Sequence, residues 1–223
     1  MESTRYRYAF DLDGCLVDFT RDIYQPAGEL VLGRGLKQHH EDTYSLRDQF
    51  QLSSREDASI WESRELLDLM TTTPVISLLA FLSIRGRTDF CFITSRSCDG
   101  EINAERIKEI TRQWVLLQLL SNQPVYFAHS TEKHLLAEEL GVELMMEDNP
   151  TTIERLIGSG VKVRMPVYRY NDHIVHPLVE RVEGWRTEST SLLRVRRDNR
   201  AVVNNSGRAP IITNHSIPVV VNR

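Results

Sequence analysis

The chain has 223 residues and a mass of 25.8 kDa, a length that suits one domain with room for a small insertion. Its 41% hydrophobic and 26% charged residues are those of a globular protein able to bury a core without a metal or disulfide staple. The net charge of −4 lacks the basic excess of a dedicated nucleic-acid binder, yet a nucleotide-sized anion remains open to local cations or a metal.

In chain order, residues 6–12 read as a first strand ending in the acids Asp11 and Asp13. Residues 75–84 read as a buried helix, and 89–93 as a second strand. Over 104–120, Ile107, Ile110, Trp114, Leu117 and Leu120 fall at helical spacing and predict an amphipathic helix. A third strand at 124–128 precedes a helix at 132–140 that Gly141 stops. A fourth strand at 144–146, a helix at 151–157 and a fifth strand at 161–167 complete the alternation.

Strands alternating with helices imply a parallel sheet covered on both faces, a Rossmann-like three-layer α/β core with a five-stranded parallel sheet. Ligands of such sheets bind at the carboxyl ends of the strands, which singles out Asp11, Thr94, His129 and Asp148. Residues 19–73 interrupt the alternation with a charged, helix-like stretch in which Ser53 to Glu56 offer an N-cap. This stretch predicts a small helical cap inserted after the first strand, with residues 1–18 and 74–186 as the core. Residues 187–223, rich in Ser, Thr, Asn and Arg, read as a loosely ordered tail, with an added β-ribbon or partner arm as the other reading.

Cys15, Cys91 and Cys98 form no CxxC pair, which points to a reducing compartment. No signal-peptide core opens the chain, and its longest nearly apolar run, 75–84, falls short of the ~20 residues that span a bilayer. The expectation is a soluble, cytoplasmic protein with no membrane partner.

The chemistry concentrates in Asp11-Leu12-Asp13-Gly14. Carboxylates at i and i+2 of an extended strand point the same way, and Gly14 allows a sharp turn. Two such acids repel unless a cation or a shared proton holds them, and an all-oxygen ligand set favours Mg²⁺. Thr94, Ser95 and Arg96 end the second strand with hydroxyls and loop amides suited to a phosphate. Lys133 opens a helix, and Glu147-Asp148-Asn149-Pro150 places a second acidic pair after the fourth strand.

These motifs, in this order, resemble the haloacid dehalogenase-like phosphohydrolases, and in particular the nucleotidase branch that includes the 5'(3')-deoxyribonucleotidases. The resemblance runs from about Arg5 to Trp185; Thr111 to Val115, Tyr170-Asn171 and Arg181 to Trp185 support it. It implies Asp11 as the nucleophile that forms an aspartyl-phosphate, and Asp13 as general acid and then general base. It implies Thr94, with Ser95, as a phosphoryl contact and Lys133 as the charge-balancing cation. Mg²⁺ would be held by Asp11, the backbone carbonyl of Asp13 and Asp148, with Glu147 ligating through water or bracing the shell.

Arg96 stands where deoxyribonucleotidases often carry Pro, so it either meets a second phosphate or caps a loop. Cys15 replaces a frequent Val or Thr and reads as packing, the alternative being a redox-sensitive thiol. Phe19, Tyr44 and Trp61 offer aromatic surfaces for a base but read first as part of the insertion's own core. His39-His40 diverge by about 100° on a helix and read as surface, as do Arg106 and Arg112. The function expected is a Mg²⁺-dependent phosphomonoesterase acting on a small phosphorylated substrate, a nucleoside (deoxy)monophosphate, with extended nucleic acid disfavoured and a homodimer left open. The alternatives are a polynucleotide 3'-phosphatase and a catalytically idle binding protein.

Overall fold

The structure is a computed structural model that describes residues 6–74, 89–96, 104–119 and 121–182. The helix expected at 75–84, Cys98, residues 183–185 of the last motif and the 187–223 tail lie outside the described residues.

Six strands form one parallel sheet: β1 (Tyr8–Phe10), β2 (Phe90–Thr94), β3 (Val125–Phe127), β4 (Leu144–Met146), β5 (Lys162–Pro166) and β6 (Val179–Val182). Their spatial order is β3-β2-β1-β4-β5-β6, which puts β1 inside the sheet between β2 and β4. The sixth strand corrects the expected count of five. Its sequence, Val179-Glu180-Arg181-Val182, has two exposed charges in the middle because it lies at an edge, so it shows no apolar run. An ion pair of 2.7 Å between Arg164 and Glu180 helps fasten it to β5.

Alternation along the strands sorts side chains onto two cores. Phe90 and Phe92 enter a cluster with Leu12, Leu16, Ile23, Ile60, Leu66 and Trp114, whereas Cys91 and Ile93 enter one with Ala9, Met145, Ile153 and Val163. Every residue of β2 is buried, as a strand covered on both faces requires. Burial of each such phenylalanine contributes roughly 1.5–3 kcal/mol.

Helices α5 (Ala104–Gln118), α6 (Lys133–Glu139) and α7 (Pro150–Gly158) follow β2, β3 and β4. α7 starts where Asn149 accepts the amides of Thr151 and Thr152 and Pro150 takes the first turn. The face of α5 differs from the expected one: Ile107, Thr111, Trp114 and Val115 are buried, but Leu117 is 63% exposed. At 100° per residue Leu117 sits about 80° from Ile107, on the margin of the stripe rather than its centre.

Between β1 and residue 74 the chain is helical. A π-helical turn (Thr20–Tyr24) runs into α1 (Gln25–Leu32), followed by α2 (Leu46–Gln49), α3 (Ser54–Trp61) and α4 (Arg64–Thr72). The expected N-cap is a full capping box: Ser53 accepts the Glu56 amide, and the Glu56 carboxylate accepts the Ser53 amide at 2.9 Å. α4 packs on α5, and the Trp114 indole donates to the Thr73 carbonyl at 2.7 Å, tying this helical stretch to the core. Among the described residues no helix is long and apolar enough to cross a membrane.

Candidate active site

The carboxyl ends of β1, β2 and β4 open into a cleft of about 720 Å³ whose other wall is the helical stretch. Asp11, Asp13, Thr94, Ser95, Arg96, Lys133 and Asp148 all line it. Register brings them together: Phe10 lies opposite Phe92 and Met146, so the chain leaves three adjacent strands at one level. The Asp11 amide donates to the Met146 carbonyl at 3.0 Å and carries this register one residue past β1.

Beyond Asp11 the chain curls tightly, with the Leu16 amide on the Leu12 carbonyl at 2.7 Å. Gly14 has φ +71°, and a Cβ there would stand 2.0 Å from Oδ2 of Asp148. Both the backbone and the space therefore demand glycine at this position.

Lys133, the first residue of α6, is buried and reaches Asp11 Oδ2 at 2.8 Å and Glu147 Oε2 at 2.9 Å. Burial opposes its charge, but Asp11 and Glu147 carry its pKa above the usual lysine range. Burial, then the charge of Glu147, pushes the Asp11 carboxyl up to about 8. Asp148 is pushed up to about 7 by burial and by Asp11, and Glu147 is also raised, mainly by burial. Three buried acids around one lysine leave an excess of negative charge, which accounts for the common direction.

Glu147 does not line the cleft. Its Oε1 accepts the amides of Asp148 at 3.2 Å and Asn149 at 3.0 Å, and its other oxygen takes Lys133. It braces the loop that presents Asp148. Oδ1 of Asp11 and Oδ1 of Asp148 are buried with no hydrogen-bond partner, and so is Ser95 Oγ. Unpartnered carboxylate oxygens with raised pKa values fit a divalent cation bound between them. The ligand atoms of Asp11, Asp148 and Cys15 lie within 4.8 Å of one another. Burial and then Asp148 push the Cys15 thiol well up, so it stays protonated while the oxygens offer the charge.

Arg96 lines the cleft and turns its guanidinium onto Asp13. Its Nε donates to Asp13 Oδ2 at 2.7 Å and its Nη2 to Asp13 Oδ1, a bidentate grip on the second acid of the motif. The guanidinium lies 5.4 Å from the Trp114 ring and 6.0 Å from that of Phe19, and its side chain is 3% exposed.

A further group after β5 carried no assigned role in the sequence. The Tyr170 hydroxyl donates to Asp148 Oδ2 at 2.6 Å, and Asn171 Nδ2 donates to the carbonyls of Asp148 and Pro166. Tyr168 bonds the Gly14 carbonyl at 3.0 Å. The available signal was position: these residues leave a strand at the same sheet edge as the acids.

Phe19 and Trp61 stack at 5.7 Å and line the cleft while also packing in the core; Tyr44 meets Tyr170 edge-on at 5.3 Å. His39 and His40 are exposed, and His129 bonds Thr131 outside the cleft. Arg106 is exposed, and Arg112 lies over the Phe127 ring.

A parallel sheet with Asp11 on an inner strand and four motifs at strand ends is the arrangement the resemblance to haloacid dehalogenase-like phosphohydrolases implies. No protein-family model matches the chain. A curated relative, "Putative nucleotidase" of Bacillus cereus, is 23% identical over 190 residues, covering 80% of this chain and 94% of that protein. Among solved structures, a HAD family hydrolase of Deinococcus radiodurans with bound phosphate and sodium is similar at TM-score 0.47 and 16% identity, covering 92% of this chain and 97% of that one. A HAD-superfamily hydrolase of Geobacter sulfurreducens, subfamily IA, variant 1, is similar at TM-score 0.49 and 17% identity, over 82% of this chain and 96% of that one. The curated relative supports the resemblance that the motifs carry, including its nucleotidase branch.

Proposed function

We propose that this chain is a Mg²⁺-dependent phosphomonoesterase that hydrolyses nucleoside monophosphates through an aspartyl-phosphate. One observation carries the reading: Asp11 sits in the cleft with one oxygen on Lys133 and the other without a partner, beside the hydroxyls of Thr94 and Ser95. The choice of a nucleotide rests on the nucleotidase-branch motifs and on the name of the Bacillus cereus relative.

Asp11 attacks phosphorus as the ester P–O bond breaks, and Asp13 gives its proton to the leaving oxygen. Asp13 then takes a proton from water, the water oxygen bonds phosphorus, and the Asp11–phosphorus bond breaks to release inorganic phosphate. Thr94 and Ser95 donate to the transferring group, and Lys133 offsets its charge and that of Asp11. Asp11, Asp148 and the Asp13 carbonyl would hold Mg²⁺, which supplies charge neutralisation that lets a dianion approach a carboxylate. Residues 19–73 act as the cap that selects the ester's organic part, with Phe19, Trp61 and Tyr44 as its aromatic surfaces.

The test is phosphate release from nucleoside 5'- and 3'-monophosphates, sugar phosphates and a 3'-phosphorylated oligonucleotide, with Mg²⁺ or EDTA, and Asp11→Asn as the blank. Metal-dependent turnover of mononucleotides, absent in the blank, is expected. Full activity of Asp11→Asn would overturn the mechanism, and preference for the oligonucleotide would move the assignment to end repair.

A further inference from the structure

Arg96 grips both carboxylate oxygens of Asp13. We infer that Arg96 is a positioning residue that fixes the Asp13 carboxyl where the leaving oxygen and then the attacking water must meet it; this inference rests on the function proposed above.

Asp13 lies beyond β1, where its backbone bridges Val17 and the chain then turns at Gly14, and its side chain is 26% exposed. A carboxyl in that setting has several staggered rotamers, and only one of them faces the reacting atoms. The guanidinium removes this freedom because it is a rigid planar fork, matched to the two oxygens. The fork is itself held. Its side chain is 3% exposed, the Trp114 and Phe19 rings flank it, and the Arg96 amide donates to Thr94 Oγ1 at 3.3 Å. The acid's orientation is thus referred to β2, the strand that also carries Thr94.

The two half-reactions use this grip differently. As acid, Asp13 carries a proton on one oxygen and hands it to the leaving oxygen while the ester P–O bond breaks; Arg96 holds the other oxygen. As base, Asp13 is a carboxylate gripped at both oxygens, as in this structure, and it takes the proton from water as the phosphorus–Asp11 bond breaks. Lysine at position 96 would keep the charge but lose the fork and with it the orientation.

The experiment compares two esters by the first-turnover rate of leaving-group release. An alkyl phosphomonoester has a poor leaving group and needs the proton from Asp13; p-nitrophenyl phosphate has a good one and does not. Proton donation contributes ~10²–10⁴-fold, so Arg96→Met and Arg96→Lys should slow alkyl ester cleavage by at least ~10-fold. Both should keep the nitrophenolate burst within about twofold, which also shows that the variants are folded. Asp13→Asn should likewise slow alkyl ester cleavage, and adding Arg96→Met to it should cost little more, because the two residues act as one unit.

An equal loss on both esters, carried by KM, would overturn the inference and make Arg96 a phosphate contact. Independent, multiplying losses in the double variant would overturn it as well. No turnover of either ester by the unaltered chain would overturn the proposed function itself, and this inference with it.

Discussion

Replacing Lys133 with Met keeps most of the side chain's length and removes the cation between Asp11 and Glu147. Both contacts are short, 2.8 and 2.9 Å, and the three side chains are at most 6% exposed. Removing one partner of a buried ion pair costs roughly 3–5 kcal/mol because the remaining charge has no compensation. Burial pushes the Asp11 carboxyl up, and without Lys133 it can relieve the uncompensated charge by taking up a proton, which favours the lower end, about 3 kcal/mol. For a chain of this size each kcal/mol shifts the midpoint by ~2–4 °C, giving a fall of ~6–12 °C. Thermal unfolding followed by circular dichroism at pH 7 in EDTA measures it. The fall should be insensitive to added salt, because buried pairs are poorly screened. Adding Glu147→Gln should restore part of the loss by removing one of the three buried acids. An unchanged or raised midpoint in Lys133→Met would refute the description of a buried, charged triad.

The metal-free protein should lose stability as pH rises. The Asp11 carboxyl moves from 3.8 to about 8 and that of Asp148 from 3.8 to about 7. Because these folded values lie above the unfolded ones, the folded state keeps protons that the unfolded chain releases, and the stabilising contribution is lost progressively from pH 3.8 until it is gone above about 8. Unfolding midpoints measured across that range in EDTA should therefore fall, and saturating Mg²⁺ should flatten the curve; a flat metal-free profile would contradict it. Gly14→Ala meets a φ of +71° and Oδ2 of Asp148 at 2.0 Å, so the larger effect is displacement of that carboxylate. Activity titrated against Mg²⁺ should show at least ~10-fold weaker metal dependence, and an unchanged titration would show that Asp148 does not hold the metal.

The site was legible where its chemistry coincides with strand ends. Asp11, Thr94 and Asp148 follow apolar runs, and a parallel sheet gathers such positions, so order alone placed them at one edge. Lys133 was legible by its place at the start of a helix. The Arg96–Asp13 pair was not, because it joins residues 83 apart through side-chain geometry that no periodicity records. Cys15 was read as packing; its nearness to Asp11 and Asp148 follows from the curl after Asp11, which the motif string does not describe. β6 escaped because edge strands are allowed polar middles, and the exposure of Leu117 because an amphipathic stripe has margins that spacing does not grade.

Backbone hydrogen bonds, not side-chain packing, set the distance between the two carboxylates whose Oδ1 atoms lack a partner. Asp11 follows β1 and Asp148 follows β4, neighbours whose paired residues run Tyr8 with Leu144, Ala9 with Met145 and Phe10 with Met146. That spacing is a constant of β-sheets, independent of what fills the cleft. Change in the helices between residues 20 and 72 can alter the size and character of the opposing wall without disturbing it. In evolutionary terms, on the function proposed above, the fold would separate two inheritances: the handling of phosphorus in strand register, where a one-residue slip turns every side chain to the other face, and the choice of ester in helices free to drift.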